Sequence, residues 1–513
     1  MKTQDTKLNH GSRKRKRVYE NEKVGKQITD FFPGSKKQKK NQKKEENTSN
    51  VFCKKPCETF FEKDAPHSLA KRRLLFSILK SVAAIRCKQV PKLNRFVLTY
   101  VDAFAGKGYF GKRILPKPSD DICQWGTPLI ALNAFMQEID AQLKKQVSIE
   151  YKEEATLKNK HIYNDTLEEV LCFRFIFNDI ENITELKEFI TEYLKTKADW
   201  KLICTDDMFI YLSKQSNDQF ARTIEIEFSS LKFEKMEHKL ESIEGSAFFF
   251  LDPFGIKLPL KIVKKLIREG RDIIINLNVQ YAARAIKNRK MVKLWKEVFG
   301  SKLKKESISN ETSKKFCEIA NYYCKLLKGK NKPTRLFTTK FVLRKGKLRP
   351  DNAELFNLVI ATTSLLVLQK IKFSIQRHNQ TKGECSFSDY FSINGISIPE
   401  GRKTDDSYEA NVIYKMFSNK GSVTLGKLKK LIIEKTPFPY HTKALRKLEK
   451  DDSIAVTPLD YLDGKVLREK KSLCNEVSHN IYDTGLKYGN FWIIKFKPRY
   501  NWKSLKYEAT KPN

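Results

Sequence analysis

No Cys-x-x-Cys pair occurs among the ten cysteines of this 513-residue chain, and its two closest couples, Cys53/Cys57 and Cys317/Cys324, lack a matching set of His or Cys partners. That argues against a zinc site and against a disulfide framework, so no metal is expected and a reducing compartment fits. Uninterrupted apolar stretches never approach the ~20 residues needed to span a bilayer, and the opening MKTQDTKLNH has no apolar signal region. A soluble, intracellular protein with no membrane partner is the expectation. Acidic residues are also scarce relative to basic ones, 60 against 99, which leaves a net charge of +39. An excess of that size favours a polyanionic partner, because neutralised phosphates release counterions. Nucleic acid, DNA before RNA, is the expected partner class.

Residues 1–64 form the first segment. Its first fifty residues carry 15 Lys/Arg against 6 Asp/Glu and almost no aliphatic side chains. Too little apolar area is present to offset chain ordering, so a disordered basic tail is expected. Arg13, Lys14, Arg15, Lys16 and Arg17 have the composition of a nuclear-localisation cluster, which points to the nucleus. One apolar island interrupts the tail: Ile28, Thr29, Asp30, Phe31 and Phe32, followed by Pro33 and Gly34. Three large apolar groups with no core to join suggest a partner pocket. The spacing resembles the PCNA-interacting (PIP) box, which implies that Ile28, Phe31 and Phe32 plug into the sliding clamp. Gly25 stands where that motif usually has Gln, so one hydrogen bond is missing. Thr29, Asp30 and Lys36 also resemble the subset of such boxes that act as replication-coupled degradation signals.

A folded body is expected over residues 65–380. An amphipathic helix, with Leu69, Leu74, Leu75, Ile78, Leu79, Val82 and Ile85 at helical spacing, precedes the apolar run Phe96–Tyr100. That run ends in Val101-Asp102-Ala103-Phe104-Ala105-Gly106-Lys107-Gly108. A strand that ends in an acid and enters a two-glycine turn lets backbone N–H groups approach a nucleoside cofactor closely. The D-x-F-x-G-x-G spacing suits S-adenosylmethionine (AdoMet) better than a dinucleotide. Thr127 and Pro128 then mark a helix start.

Further apolar runs end in acids: Phe173–Asp179, Leu202–Asp206 and Ala247–Asp252. With Asp272–Asn276 and Leu355–Ile360, they predict a doubly wound parallel sheet. On that layout Asp102, Phe104, Ala105, Gly106 and Gly108 face the methionine part of AdoMet. Asp179 accepts the ribose hydroxyls and Asp206 lies near the adenine amino group. Asp252, Pro253 and Phe254 form the substrate end, where Asp252 orients a nucleophile and Phe254 stacks. This resembles the motif of amino-methyltransferases, with the aromatic one place early. A cytosine carbon-5 enzyme needs a Pro-Cys beyond the fourth strand, and Pro56-Cys57 lies before the glycine turn.

Residues 381–407 read as a linker. Over 408–513 short helices replace strands: Val412–Phe417, Val423–Ile432 and the basic Ala444–Lys450, then strand-like Ile454–Val456. That is the layout of a winged helix-turn-helix, whose second helix enters the major groove.

Taken in order, YVDAFAGKG, WGTPLIAL, FIFNDIEN, FFFLDPFGIKLPL, DIIINLN and LVIATT resemble the three-Cys-motif partner (TcmP) family. The C-terminal part resembles the GMT-like winged helix domain that often follows it. The resemblance covers roughly 65–460 and implies a Rossmann-type AdoMet-dependent methyltransferase fold. It also implies a functional link to a radical-AdoMet-like three-cysteine protein. A methyltransferase acting on DNA is one expectation; a non-methylating DNA-binding adaptor in replication or repair is the other. From the tail alone, a peptide of residues 20–40 is expected to bind PCNA in solution. Replacing Phe31→Ala together with Phe32→Ala should abolish that binding, as read by fluorescence anisotropy.

Overall fold

A computed structural model describes residues 66–87, 96–115, 125–154, 171–215, 221–287, 291–300, 312–329, 336–344, 354–379, 385–387, 406–436, 438–440, 442–458 and 492–497. The chain divides into Met1–Lys55 and Pro56–Asn513, and every described residue falls in the second unit.

Among the described residues, ten strands make one large sheet. In chain order they are β1 (Phe96–Asp102), β2 (Leu171–Asn178), β3 (Lys201–Thr205), β4 (Phe209–Gln215), β5 (Ala221–Ser229), β6 (Ala247–Leu251), β7 (Arg271–Leu277), β8 (Phe337–Arg344), β9 (Glu354–Thr362) and β10 (Cys385–Phe387). Their spatial order is β10-β8-β9-β7-β6-β1-β2-β5-β4-β3. The central strands β5, β2, β1, β6 and β7 are parallel. β9 runs antiparallel to both β7 and β8, β10 antiparallel to β8, and the β3–β4 hairpin extends the opposite edge antiparallel to β5. The fold is therefore mixed α/β with a mostly parallel centre, compatible with a Rossmann-like architecture, and the run Leu355–Ile360, expected in the parallel sheet, joins it antiparallel as part of β9.

The helices are α1 (Pro66–Cys87), α2 (Thr127–Glu154), α3 (Ile183–Lys195), α4 (Glu237–Glu241), α5 (Leu260–Leu266), α6 (Val279–Lys287), α7 (Val292–Phe299), α8 (Thr312–Lys328) and α9 (Leu365–Asn379). Two separate apolar clusters show which face each covers. Along β6, Phe248 and Phe250 join Leu74 and Ile78 of α1, Phe135 of α2, Phe189 of α3 and Ile371 of α9. Ala247, Phe249 and Leu251 point the other way, to Leu240 of α4, Val263 of α5, Ala282 of α6, Trp295 of α7 and Ile319 of α8. Alternation at period two thus feeds two helical layers, and β6 and β7 are buried along their whole length.

At the C-terminal end, α10 (Asp406–Phe417), β11 (Ser422–Thr424), α11 (Leu425–Lys435), α12 (Thr442–Lys450), β12 (Ile454–Pro458) and β13 (Trp492–Phe496) follow one another. The strands form a three-stranded antiparallel sheet in the order β11-β13-β12. Its apolar core includes Phe337 of β8 and Leu368 of α9, so it packs directly on the large sheet's helical layer. The buried Lys372 of α9 donates to the carbonyls of Ile433 and Thr436, the latter at 2.6 Å. Burial, with Lys328 nearby, pushes that ammonium down to about 7. Within the stretch read as a linker, Cys385–Phe387 is strand β10, paired with β8.

One buried ion pair locks α1 to the sheet. Arg86 donates to Asp272 at 2.9 Å, and the Thr362 hydroxyl of β9 donates to the other carboxylate oxygen at 2.5 Å. Burial pushes the Asp272 carboxyl up from its usual value, and the Arg86 charge and Thr362 hydroxyl oppose that rise. Arg86→Met leaves a buried carboxylate without its cation, so a loss of about 3–5 kcal/mol is expected in urea unfolding. Adding Asp272→Asn to that variant should recover part of the loss.

Candidate functional site

β1 lies between β2 and β6 although the chain runs from β1 to β2 and returns to β6 only after β5. The crevice above the carboxyl ends of β1 and β6 is therefore where chain connections diverge to opposite sides, the usual ligand position in open α/β sheets. Asp102 pairs in register with Phe250, so Asp252 emerges two residues beyond on the neighbouring strand.

Asp102 is wholly buried. Its carboxylate accepts from the Thr127 hydroxyl at the start of α2 and from the Phe104 amide at 3.3 Å. Desolvation pushes the carboxyl up to about 7, against the hydrogen bonds from Thr127 and Phe104; Asp252 adds to the rise and Lys71 opposes it.

Gly106 and Gly108 both hold positive φ, +63° and +84°, a conformation that side chains with a Cβ disfavour. Their surroundings differ. Nothing lies within 4 Å of where a Gly106 Cβ would sit, whereas at Gly108 it would meet Leu186 at 2.7 Å. Gly106 thus presents backbone to open space, and Gly108 allows α3 to pack. A third glycine completes the turn: Gly126 donates to the Gly108 carbonyl at 2.8 Å. A Cβ on Gly126 would lie 2.6 Å from Gly108 backbone. The Phe104 ring packs on Phe233, 5.5 Å between centroids, and the Ala105 amide donates to the Asn178 carbonyl at 2.9 Å. Those two residues shape the turn from below.

Asp179 follows β2 and meets the turn. One carboxylate oxygen accepts from Gly106 N–H at 3.0 Å. The other accepts from Glu181 N–H, Asn182 N–H and the Asn182 side chain, at 3.0, 2.7 and 2.9 Å. The side chain is first a strut between glycine turn and α3, and only the oxygen facing Gly106 keeps acceptor capacity to spare.

Asp252 follows β6. It forms an ion pair with Lys71 of α1 and accepts from Asn276 Nδ2, at the end of β7, at 2.6 Å. The Oδ1 of Asn276 is buried without a partner. Pro253 is buried, and Phe254 is 84% exposed, which rules out a place for it in the core. Arg72, beside Lys71, is buried with its guanidinium 4.2 Å over the Phe110 ring.

Asp206 is not where the sequence places it. Leu202–Thr205 is not the third parallel strand; it belongs to edge strand β3, and β5 holds the position beside β2. Asp206 sits in the β3–β4 turn, where its carboxylate accepts from Met208 and Phe209 N–H at 2.8 and 2.6 Å. Two strands, β2 and β5, lie between β1 and the hairpin, so Asp206 does not join the crevice. The alternating sequence Thr223-Ile224-Glu225-Ile226-Glu227 has the period-two pattern of β5. Its two glutamates are buried and paired: Arg174 of β2 reaches both, at 3.0 and 2.9 Å, and Lys239 also pairs with Glu227.

The cluster Arg13 to Arg17 and the island Ile28, Thr29, Asp30, Phe31 and Phe32 lie outside the described residues. Among the described residues no group of three or more His, Cys, Asp or Glu could hold a metal ion, and no helix is long and apolar enough to cross a membrane. Compared with protein-family models and with curated proteins, the chain matches none.

Two outcomes follow from this geometry. Asp102 titrates near 3.8 when unfolded and near 7 when folded, so the native state holds the extra proton between those values and stability falls as pH rises through that window. Asp102→Asn removes the slope. The stability difference should move in the variant's favour by up to about 4 kcal/mol from pH 4 to pH 8, measured by denaturant unfolding. Separately, Gly126→Ala forces two backbones apart and should cost about 1–3 kcal/mol in the same measurement.

Proposed function

We propose that the protein is a nuclear AdoMet-dependent methyltransferase-like protein that acts on DNA and is recruited to PCNA through its N-terminal tail. The observation that carries this reading is the pairing, across the β1/β6 crevice, of an open glycine turn with Asp252 and the exposed Phe254. The residues fit the cofactor where it matters: Gly106 leaves open space for close approach of a ligand, and Asp179 keeps one oxygen at that turn. Gly106 and Asp179 would hold the nucleoside portion, and the wholly buried Asp102 would act indirectly, by fixing the turn through the Phe104 amide. When bound, AdoMet supplies an electrophilic methyl group on a sulfonium centre.

The chain's own residues do the rest. Asp252 keeps acceptor capacity beyond Lys71 and Asn276, so it can take a hydrogen bond from an exocyclic amine and orient its lone pair. Phe254 offers a ring face for stacking. The helix–strand–helix–helix–strand–strand order of α10 to β13 supports the winged helix reading, with exposed Lys443, Arg446 and Lys450 on α12 for phosphate or base contacts. The TcmP-like motifs agree with the same proposal.

A second reading is a non-methylating DNA-binding adaptor. It is favoured by the engagement of all three crevice acids within the chain: Asp102 by Thr127, Asp179 by four N–H donors and Asp252 by Lys71.

Two measurements separate them. Isothermal titration should show AdoMet binding that Asp179→Ala weakens at least about tenfold; folded protein giving no heat counts against the first reading. Tritiated methyl transfer to DNA should fall by about 100-fold or more in Asp252→Ala. DNA binding without any incorporation would leave the adaptor.

A further inference from the structure

Among the described residues, eight large apolar side chains are exposed, and only two of these, Phe254 (84%) and Tyr281 (37%), are aromatic. Scattered exposed aliphatics are ordinary. The two rings are not scattered. β6 and β7 are parallel neighbours, with Leu251 in register with Ile275. Phe254 lies three residues beyond the first, in the loop after β6, and Tyr281 lies in the first turn of α6, directly after β7. The loops that carry them are tied together below by the Asp252–Asn276 hydrogen bond of 2.6 Å. Each ring has a local anchor. Gly255 holds φ +86° with nothing within 4 Å of a would-be Cβ, so the backbone turns sharply just after Phe254. Asn278 Oδ1 accepts from Tyr281 N–H at 2.9 Å, which sets the start of α6.

We infer that Phe254 and Tyr281 form a stacking platform for an unpaired nucleic-acid strand, flanking Asp252. The inference rests on the proposed function for its occupant and adds the substrate class: single-stranded or extruded nucleotides, not an intact duplex. Charge argues for this occupant over an apolar peptide. The chain carries +39, exposed Lys257 and Lys261 lie in and just after the Phe254 loop, and Lys71 reaches Asp252 beside it. Two rings beside cations are what a strand with a π-face on every base and a phosphate at every step requires. A base held within a duplex has its faces covered by its neighbours and cannot use such rings.

The test uses the full chain at physiological ionic strength without AdoMet. Fluorescein-labelled oligothymidine, oligouridine and a blunt DNA duplex are titrated and read by anisotropy. Phe254→Ala and Tyr281→Ala should each weaken single-strand binding by about 5- to 100-fold and leave duplex binding unchanged. Phe254→Trp should retain single-strand binding. A preference between the two strands identifies the nucleic acid, and loss of that binding in the alanine variants is what supports the platform. Because both rings are exposed, thermal unfolding should be unaltered in all three variants. Single-strand binding that is the same in both alanine variants as in the parent overturns the inference. AdoMet titration of the same proteins keeps the two readings apart. Cofactor heat with single-strand binding indifferent to both substitutions removes the platform alone. Ring-dependent single-strand binding without cofactor heat removes methyl transfer alone.

Discussion

Parallel hydrogen bonding of β1 to β2 on one side and to β6 on the other is the constraint from which the rest of the molecule follows. It aligns the carboxyl ends of strands that are about 150 residues apart in sequence, Asp102 and Asp252. It also sends successive connections to opposite sides of β1, which opens a crevice no local element could make. Both faces of this central region are dry, since Phe248 and Phe250 face one helical layer and Phe249 and Leu251 the other. Aromatic side chains concentrate on one of those faces: Tyr100 lies within 5.9–6.3 Å of Phe135, Phe175, Phe177 and Phe248. Burial on that scale holds the polar ends of the strands in place.

At the crevice, polar groups mostly serve each other. Asp102 is buried and drawn toward the neutral form, yet it receives the Thr127 hydroxyl that opens α2. Asp179 fastens the glycine turn to α3, while Asn178 reaches the Ala103 carbonyl and both backbone groups of Leu231. Three strand ends, β1, β2 and β5, are thereby joined by two adjacent side chains. Rigidity of this kind pre-organises a binding surface, because the turn need not be ordered when a ligand arrives. Lys71 has a different part. It brings a cation from α1 to Asp252 and so balances a carboxylate that would otherwise stand near Asp102 uncompensated.

Much of this was legible in the residues. The amphipathic stretch from Ser68, the apolar run ending at Asp102, the Thr127-Pro128 helix start and the runs ending at Asp179 and Asp252 all have the local structure expected of them. Sequence and structure differ where a strand's place in the sheet depends on distant segments. Leu202–Thr205 is apolar enough to suggest a central strand, but it pairs as a hairpin with Phe209–Gln215 at the sheet edge. Glu225 and Glu227 disguised β5 as a surface segment, because their ion-pair partners, Arg174 and Lys239, come from other elements. Lys71 and Asn276 carried no signal: one is a lysine among many, the other an ordinary strand end. Phe254 could have been core or surface on sequence alone.

Local pattern by itself determined that strands, helices and a two-glycine turn would form, since apolar spacing and backbone preference act over a few residues. It determined too the basic character of the whole chain. Only the tertiary structure decided which acids share a crevice, which are struts, that Asp206 stands apart, and that Lys71 faces Asp252. Those outcomes depend on which strands pair. Pairing is set by the shared burial of distant segments, a quantity that no short window of sequence contains.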